Sequence, residues 1–255
     1  MNLKHAAGVL SARMRLSAAL VAALLASGFT AATGDPVAPS TKGEIPVAAP
    51  DTNARSAFSL EAWTPSVVGG IDAAVLQLAL TASQCATASG AVKNPATLTI
   101  IDYSKASVEP RMWVLDLRSR ALLYEELVSH GQGSGGNLAT RFSNTPDSHQ
   151  TSIGLYVTDQ PYVGRNGYSL RLDGLDKGFN DRARERAIVM HGAPYVNASI
   201  SKSLGRLGRS HGCPAVRDDV ARELIDRVKG GSLVFAYYPD AEWLSSSKFL
   251  GNCGN

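Results

Sequence analysis

The sequence is poor in cysteine and aromatic residues and carries a modest share of charge. Among 255 residues there are 3 cysteines, and the aromatic and charged residues make up 7% and 18%. Its 24 glycines and 12 prolines are too few for a collagen-like or low-complexity chain. The 44% of hydrophobic residues is enough for one large domain, or for a medium domain with accessory segments. Fibrous and wholly disordered chains are therefore excluded.

Without its first 32 residues, the chain has no excess of positive charge. The whole chain has 25 basic and 22 acidic residues. The first 32 residues hold Lys4, Arg13 and Arg15 and no acid, and removing these three basic residues leaves 22, equal to the acidic ones. Proteins that bind nucleic acid need basic surface to neutralise phosphates. Nucleic acid is therefore not an expected partner.

The chain has one long apolar run, Leu16–Ala26, close to its beginning. Basic residues precede this run, and the small residues Thr30, Ala31 and Ala32 follow it, which is the pattern of a cleaved export signal. The run is Ala-rich and shorter than the roughly 20 apolar residues of a transmembrane helix. We predict a signal peptide over residues 1–32, no membrane span after its removal, and a periplasmic or otherwise extracytoplasmic location.

Composition divides the rest of the chain into four parts. Residues 33–60 are rich in Pro, Ala, Thr and small polar residues, which predicts a disordered linker. A helical segment over residues 61–95 follows, with apolar residues at helical spacing between 71 and 83. Residues 96–240 contain short apolar runs separated by turn residues and are expected to form the main folded domain. A tail, residues 241–255, ends the chain.

Residues 96–240 predict a mainly β domain, sandwich-like or barrel-like, with two or three short helices. One helix is expected to begin with Asp218 or Asp219 as its N-cap and to end at Gly230 and Gly231. Arg118–Arg120 is interpreted as a tight hairpin link. The predicted strands are Thr97–Tyr103, Arg111–Leu117, Ala121–Ser129, Thr151–Thr158, Tyr168–Leu172, Ala187–His191 and Ser232–Tyr238.

Two segments contain the residue types of a cysteine acyl-transfer site. An apolar run ends in His191, and Cys213 follows 22 residues later in the segment Gly-Arg-Ser-His-Gly-Cys-Pro. A thiol is a strong nucleophile, but only a few per cent of an ordinary cysteine is thiolate near neutral pH. A neighbouring imidazole supplies the base it needs. Gly212 allows close substrate approach, and the N–H groups of Gly212 and Cys213 are expected to face a developing oxyanion.

The order of these and other segments resembles the murein L,D-transpeptidase catalytic domain family, of the YkuD type. The resemblance implies a mostly β catalytic domain that acts on peptidoglycan stem peptides. Such an enzyme releases the terminal D-Ala, holds the acyl group as a thioester and passes it to an amine. Water as the acceptor gives L,D-carboxypeptidase activity instead. The matching segments are Ile101–Ser104, Val128–Gly131, Gly133–Gly135, Phe142–Asn144, Ser152–Tyr156, Ser169–Gly174, Ile188–Ala193 and Gly208–Val216.

The resemblance also implies roles for single residues. Cys213 is the nucleophile, His191 is the proton acceptor and later donor, and Gly212 belongs with Cys213 to the oxyanion site. His211 orders the loop or assists the oxyanion region. No third member of the triad is assigned, although the backbone carbonyl of the residue after His191 is one candidate. The expected substrate contacts are Ser210, Arg209, Arg217, Gly192 and Tyr156.

Several alternatives remain open. A zinc site of His191, His211 and Cys213 is disfavoured because no Cys-x-x-Cys or His-Glu-x-x-His accompanies them, so we expect neither metal nor cofactor. A non-catalytic peptidoglycan-binding module is the alternative from a different functional class. Three cysteines leave at least one unpaired within the chain, and a Cys85–Cys253 disulfide is one possibility. The arginines in residues 180–187 are interpreted as a solvated charged face, and the oligomeric state is not predicted.

Overall fold

The computed structural model describes residues 57–251 and 253. The predicted signal peptide, and the predicted linker up to residue 56, lie outside the described residues. At the end of the linker, Ala57 and Phe58 are buried, and Trp63 Nε1 donates a hydrogen bond to the Ala57 carbonyl at 2.9 Å. Among the described helices, none has the length and apolarity needed to span a membrane.

One eight-stranded, barrel-like sheet organises the described residues. Its strand order is β3-β2-β1-β8-β4-β5-β6-β7, with parallel β1–β8 and β6–β7 pairs and antiparallel pairs elsewhere. The expected mainly β class is confirmed, and residues 96–240 contain two of the five α-helices in the described part of the chain. The strands are β1 Thr97–Asp102, β2 Met112–Asp116, β3 Ala121–Glu126, β4 Gly154–Gly164, β5 Gly167–Gly174, β6 Val189–Gly192, β7 Ala215–Val216 and β8 Leu233–Tyr237. The helices are a 3-10 turn Leu60–Ala62, then α1 Pro65–Val68, α2 Ala73–Ala88, α3 Ala198–Leu204, α4 Asp218–Val228 and α5 Ala241–Ser246.

The central strands are buried on both faces because alternate residues enter two different cores. In β1, Leu98 and Ile100 belong to one core, which α2 covers, and Ile101 belongs to the other, which α4 covers. The same alternation runs through β2 and β8. Full burial of a Leu or Ile side chain contributes about 1.5–3 kcal/mol. Covering both faces therefore stabilises the sheet more than covering one.

The start of α4 differs from the sequence prediction. Its cap residue is Arg217, whose backbone is extended, and the prediction of Asp218 or Asp219 as N-cap is wrong. Both acids lie in the first turn, where their negative charge interacts favourably with the helix dipole. Helix α2, by contrast, has a side-chain cap, since Asp72 accepts two N–H groups of the first turn.

The strands that the sequence misplaced have physical explanations. The run predicted to end at Thr158 continues to Gly164, because a register shift between Thr158 and Pro161 accommodates the proline. Strand β7 has two residues, too few for an alternating pattern. The predicted hairpin link after β2 is confirmed, and Asp116 accepts the N–H groups of Arg118 and Ser119.

The segment after residue 240 is part of the core. Trp243 on α5 is fully buried and packs against Phe235 of β8, with ring centroids 5.5 Å apart. Phe249 is also buried. Cys85 on α2 and Cys253 form a disulfide with Cα atoms 4.9 Å apart, so the structure has the pairing that the sequence left open. The domain boundary at residue 240 stays a prediction.

Candidate active site

Cys213 lies just before β7 and is the free cysteine of the described residues. Its side chain is buried, and Sγ lies 3.5 Å from the Val189 N–H and 3.7 Å from the Ala187 carbonyl. Burial raises the pKa of the Cys213 thiol, while the Val189 N–H and the charge of Arg186 lower it. The uncharged thiol is therefore the resting form near neutral pH, and attack by sulfur requires a base.

His191 lies on β6, next to β7. It pairs with Ala215 of β7, two residues beyond Cys213. Its Nδ1 donates to the Gly192 carbonyl at 2.7 Å, and because a carbonyl only accepts, Nε2 is the basic nitrogen of the neutral ring. Burial lowers the pKa of His191, which favours this neutral form. Among the described residues, no hydrogen bond joins Cys213 to His191, because Sγ interacts with the backbone of Val189 and Ala187.

The cysteine loop, residues 208–213, approaches two other segments so closely that glycines are needed. Gly212 has φ +120°, and a Cβ there would lie 2.8 Å from the Gln150 carbonyl oxygen. At Gly131, a Cβ would lie 2.9 Å from the Cα of Gly212. The glycine-rich loop, residues 129–136, and the serine segment, residues 143–152, thus pack directly on the cysteine loop. Thr151 joins them, since its Oγ1 accepts the Gly131 N–H and donates to the Gly212 carbonyl.

Ser210 shapes the cysteine loop from within. Its Oγ donates to the Cys213 carbonyl at 2.7 Å and accepts the Gly212 N–H at 3.1 Å. The Gly212 N–H, which the sequence suggested as an oxyanion donor, therefore has an internal partner. Ser210 itself holds the turn on which the nucleophile candidate is carried.

The comparisons with known proteins bear on this arrangement. A sequence model of the L,D-transpeptidase catalytic domain matches residues 68–237, more than half of the chain. The chain belongs to this family. The match begins within α1 and ends with β8, so it includes both the histidine strand and the cysteine loop. No curated protein matches the chain.

Solved L,D-transpeptidase structures are also similar. One from Mycobacterium smegmatis has 16% identity and a TM-score of 0.35, covering 56% of this chain and 59% of its own. One from Xylanimonas cellulosilytica has 19% identity and a TM-score of 0.31, covering 61% and 69%. One from Stackebrandtia nassauensis has 11% identity and a TM-score of 0.34, covering 80% and 99%. The chain thus spans less than two thirds of the M. smegmatis protein.

In this L,D-transpeptidase domain, the two arginines predicted to contact substrate have partners inside the protein. Arg209 donates to the Gly135 carbonyl at 2.7 Å and so anchors the glycine-rich loop. Arg217 makes two hydrogen bonds of 2.9 Å to the Glu126 carboxylate and an ion pair with Asp219. Both guanidinium groups connect separate segments of the fold.

Two further predicted contacts are enclosed by the fold. Tyr156 is buried, and its hydroxyl donates to the Ser152 carbonyl at 2.9 Å. Gly192 lies against α4, where a Cβ would be 2.6 Å from the Asp218 carboxylate and 2.8 Å from the Ala221 Cβ. The contact that Gly192 does make is through its carbonyl, which orients His191.

His211 is exposed and lies beside a histidine that sequence reasoning did not identify. The rings of His211 and His149 stack with centroids 4.1 Å apart and planes 10° apart. The amide of Gln132 in turn lies 2.9 Å from His149 Nδ1. Nothing in the sequence around His149 indicates this pairing. His211 thereby connects the cysteine loop to the serine segment.

Arg186 is the residue of the site that sequence reasoning missed. The sequence predicts a solvated face for Arg186 together with Arg182 and Arg184, yet Arg186 is partly buried, and its positive charge lowers the pKa of Cys213. The available signal was its position directly before the strand that carries His191. Among the described residues, no group of three or more His, Cys, Asp or Glu is placed to hold a metal ion.

Proposed function

We propose that this protein is a cysteine-dependent peptidoglycan L,D-transpeptidase, with Cys213 as nucleophile and His191 as base. The observation that carries the proposal is the adjacent parallel pair β6–β7, with His191 opposite Ala215 and Nδ1 bonded to the Gly192 carbonyl. A histidine oriented in this way keeps its second ring nitrogen available as a base, on the strand next to the one that follows Cys213. Membership of the L,D-transpeptidase family supports the same reaction class.

In the first half-reaction, the thiol of Cys213 gives its proton to Nε2 of His191. The sulfur attacks the carbonyl carbon of the stem-peptide bond that precedes the terminal D-Ala. The C–N bond then breaks, and the leaving amine takes the proton from His191. This step yields free D-Ala and a thioester on Cys213. Because Sγ bonds to the β6 backbone, the side chain has to turn toward His191 as substrate binds.

In the second half-reaction, an amine of another stem peptide attacks the thioester. His191 takes a proton from that amine and returns it to the sulfur as the C–S bond breaks. The product is a new amide cross-link and a regenerated thiol. In the proposal the Cys213 N–H stabilises the oxyanion, joined by the Gly212 N–H once it leaves Ser210. Tyr156, Arg209 and Arg217 act by holding the fold of the site.

We also infer that the protein acts outside the cytoplasm, where peptidoglycan is located. The run Leu16–Ala26 with its basic flank supports this inference. The proposed layout is a signal peptide over residues 1–32 and a linker over residues 33–60. The helical segment 61–95, the catalytic domain 96–240 and the tail 241–255 follow. Helix α2 in the helical segment and helix α5 in the tail share one core with the sheet. We therefore expect the catalytic domain to need both of these flanking segments for stability.

One observation favours a non-catalytic peptidoglycan-binding module as a second candidate. The thiol is buried and its hydrogen bonds go to backbone groups, and buried structural cysteines are generally inert. In that case the fold would bind stem peptides without turnover.

The two candidates differ in the chemistry of Cys213. We expect the chain lacking residues 1–32, incubated with tetrapeptide muropeptides, to release D-Ala and carry a mass adduct on Cys213. Cys213→Ala should do neither. Cross-linked dimers identify transpeptidation, and trimmed stems identify the carboxypeptidase. Equal results for the parent chain and Cys213→Ala, with peptidoglycan pull-down intact, would overturn the enzyme and favour the binding module.

A further inference from the structure

Arg186 lies next to the cysteine loop and forms hydrogen bonds with the serine segment. Its guanidinium donates to the carbonyls of Ser143 and Gln150, each at 2.6 Å, and to the Ser148 hydroxyl at 3.2 Å. A further hydrogen bond goes to the Ser152 hydroxyl. Four groups that are distant along the chain from Arg186 are thus gathered around a single side chain.

The acceptors of Arg186 are neutral, which sets it apart from its two neighbours. Arg182 pairs with Glu185, and Arg184 pairs with Asp159 and Asp173, all on the exposed surface. No carboxylate of the described residues forms an ion pair with Arg186. Its Nε is also buried without a hydrogen-bond partner in this part of the chain. A cation that is partly removed from water is costly unless hydrogen bonds and a nearby anion compensate it.

Cys213 becomes an anion when it loses its proton, and it lies in the loop next to Arg186. A Cβ on Gly212, the residue before it, would lie 3.5 Å from Arg186 Nη2 and 2.8 Å from the Gln150 carbonyl that Arg186 binds. The charges of Cys213 and Arg186 act on each other, so that each favours the ionised form of the other. Two tyrosines also interact electrostatically with Cys213, the buried Tyr103 and the partly buried Tyr195, and His191 lies on the strand next to β7. None of these carries a positive charge near neutral pH.

We propose that Arg186 is the positioning residue of Cys213: it supplies the positive charge that stabilises the thiolate and holds the serine segment against Gly212. The proposal rests on the function proposed above, in which this thiolate is the nucleophile. Two effects come from one side chain. The charge favours ionised sulfur over the thiol, and the four hydrogen bonds keep the Gln150 carbonyl, and with it the cysteine loop, in place.

The test measures the ionisation of Cys213 without any substrate. The rate of Cys213 alkylation by iodoacetamide is followed against pH by mass spectrometry, which identifies the labelled cysteine. We expect Arg186→Gln and Arg186→Met to move the midpoint to higher pH and to slow alkylation about tenfold near neutral pH, the effect of one pKa unit. Arg186→Lys keeps the charge and should stay within about threefold of the parent chain.

Arg184→Gln is the matched control, because it removes a neighbouring arginine whose partners are exposed carboxylates. It should leave the alkylation profile unchanged. The proposal is overturned if folded Arg186→Gln and Arg186→Met titrate like the parent chain. It is also overturned if neither folds while Arg186→Lys does, since Arg186 would then act on stability alone. If the Arg186 variants shift the alkylation profile but the parent chain releases no D-Ala, the transpeptidase proposal is overturned and the proposal for Arg186 is supported.

Discussion

At the scale of single residues, burial acts in opposite directions on the two groups of the proposed reaction. It raises the pKa of Cys213 and lowers that of His191. The resting pair is therefore a thiol and a neutral imidazole rather than an ion pair. The reaction then has to create both charges when substrate binds, and the hydrogen bond from His191 to the Gly192 carbonyl stabilises the imidazolium as it forms.

The pH dependence of D-Ala release follows from this arrangement. Because burial favours neutral His191, the base is available at lower pH than an ordinary histidine, whose pKa is about 6.5. We predict that kcat/KM rises with pH along an acid limb with its midpoint below 6.5. The charge of Asp218 raises the pKa of His191, so Asp218→Asn should move the midpoint further down. Asp219→Asn is the control, and an acid limb above 6.5 in the parent chain contradicts the prediction.

At the scale of secondary structure elements, one buried carboxylate connects β4 to the C-terminal segment. Asp176 accepts the Leu155 N–H at 2.7 Å and a hydrogen bond from the Ser247 hydroxyl. Its own N–H donates to the Asn180 side chain at 2.9 Å. Burial raises the pKa of Asp176, opposed by these hydrogen bonds. The turn after β5 is thereby held to β4 and to the residues that follow α5.

Removing that carboxylate should destabilise the whole domain. Asp176→Ala leaves the buried Leu155 N–H and Ser247 hydroxyl without their acceptor, and each unsatisfied group costs about 1–3 kcal/mol. We predict a loss of about 2–6 kcal/mol in the free energy of unfolding by urea, the sum for the two groups. Asp181→Ala, an exposed carboxylate in the same turn, should cost less than about 1 kcal/mol. Equal losses for the two variants contradict the role of Asp176.

At the scale of the whole molecule, a disulfide joins helix α2 to the last described residue. Cys85 and Cys253 are 168 residues apart in sequence. Between them lie all eight strands. A cross-link across such a long loop restricts the unfolded chain strongly. The core formed by α2, β8 and α5 is thus held by packing and by one covalent bond.

The contribution of this bond can be measured directly. Cys253→Ser should lower the free energy of unfolding by about 2–5 kcal/mol, the usual effect of losing a native disulfide, and lower Tm accordingly. Reductant should lower the Tm of the parent chain to that of Cys253→Ser and leave the variant unchanged. A parent chain whose Tm is the same with and without reductant contradicts the prediction.

Much of the architecture is predictable from local patterns. The apolar runs that form β1, β2 and β8 are buried on both faces. Continuous apolar runs bounded by turn residues can be recognised as strands from the sequence alone, without knowledge of the neighbouring strand. Strand β7 and the extension of β4 are not, because a two-residue pairing and a bulge depend on the neighbouring strand. The same holds for the cap of α4, where the backbone leaving β7 determines which residue is extended.

By itself, the sequence determined the family, the mainly β class and the two residues of the proposed reaction, since ordered motifs and periodicity are local properties. Only the tertiary structure decided what surrounds them. It directed the Gly212 N–H to Ser210, gave Arg186 no carboxylate partner among the described residues, and paired Cys85 with Cys253. Each depends on segments far apart in the chain meeting in space, and no local pattern encodes such a meeting.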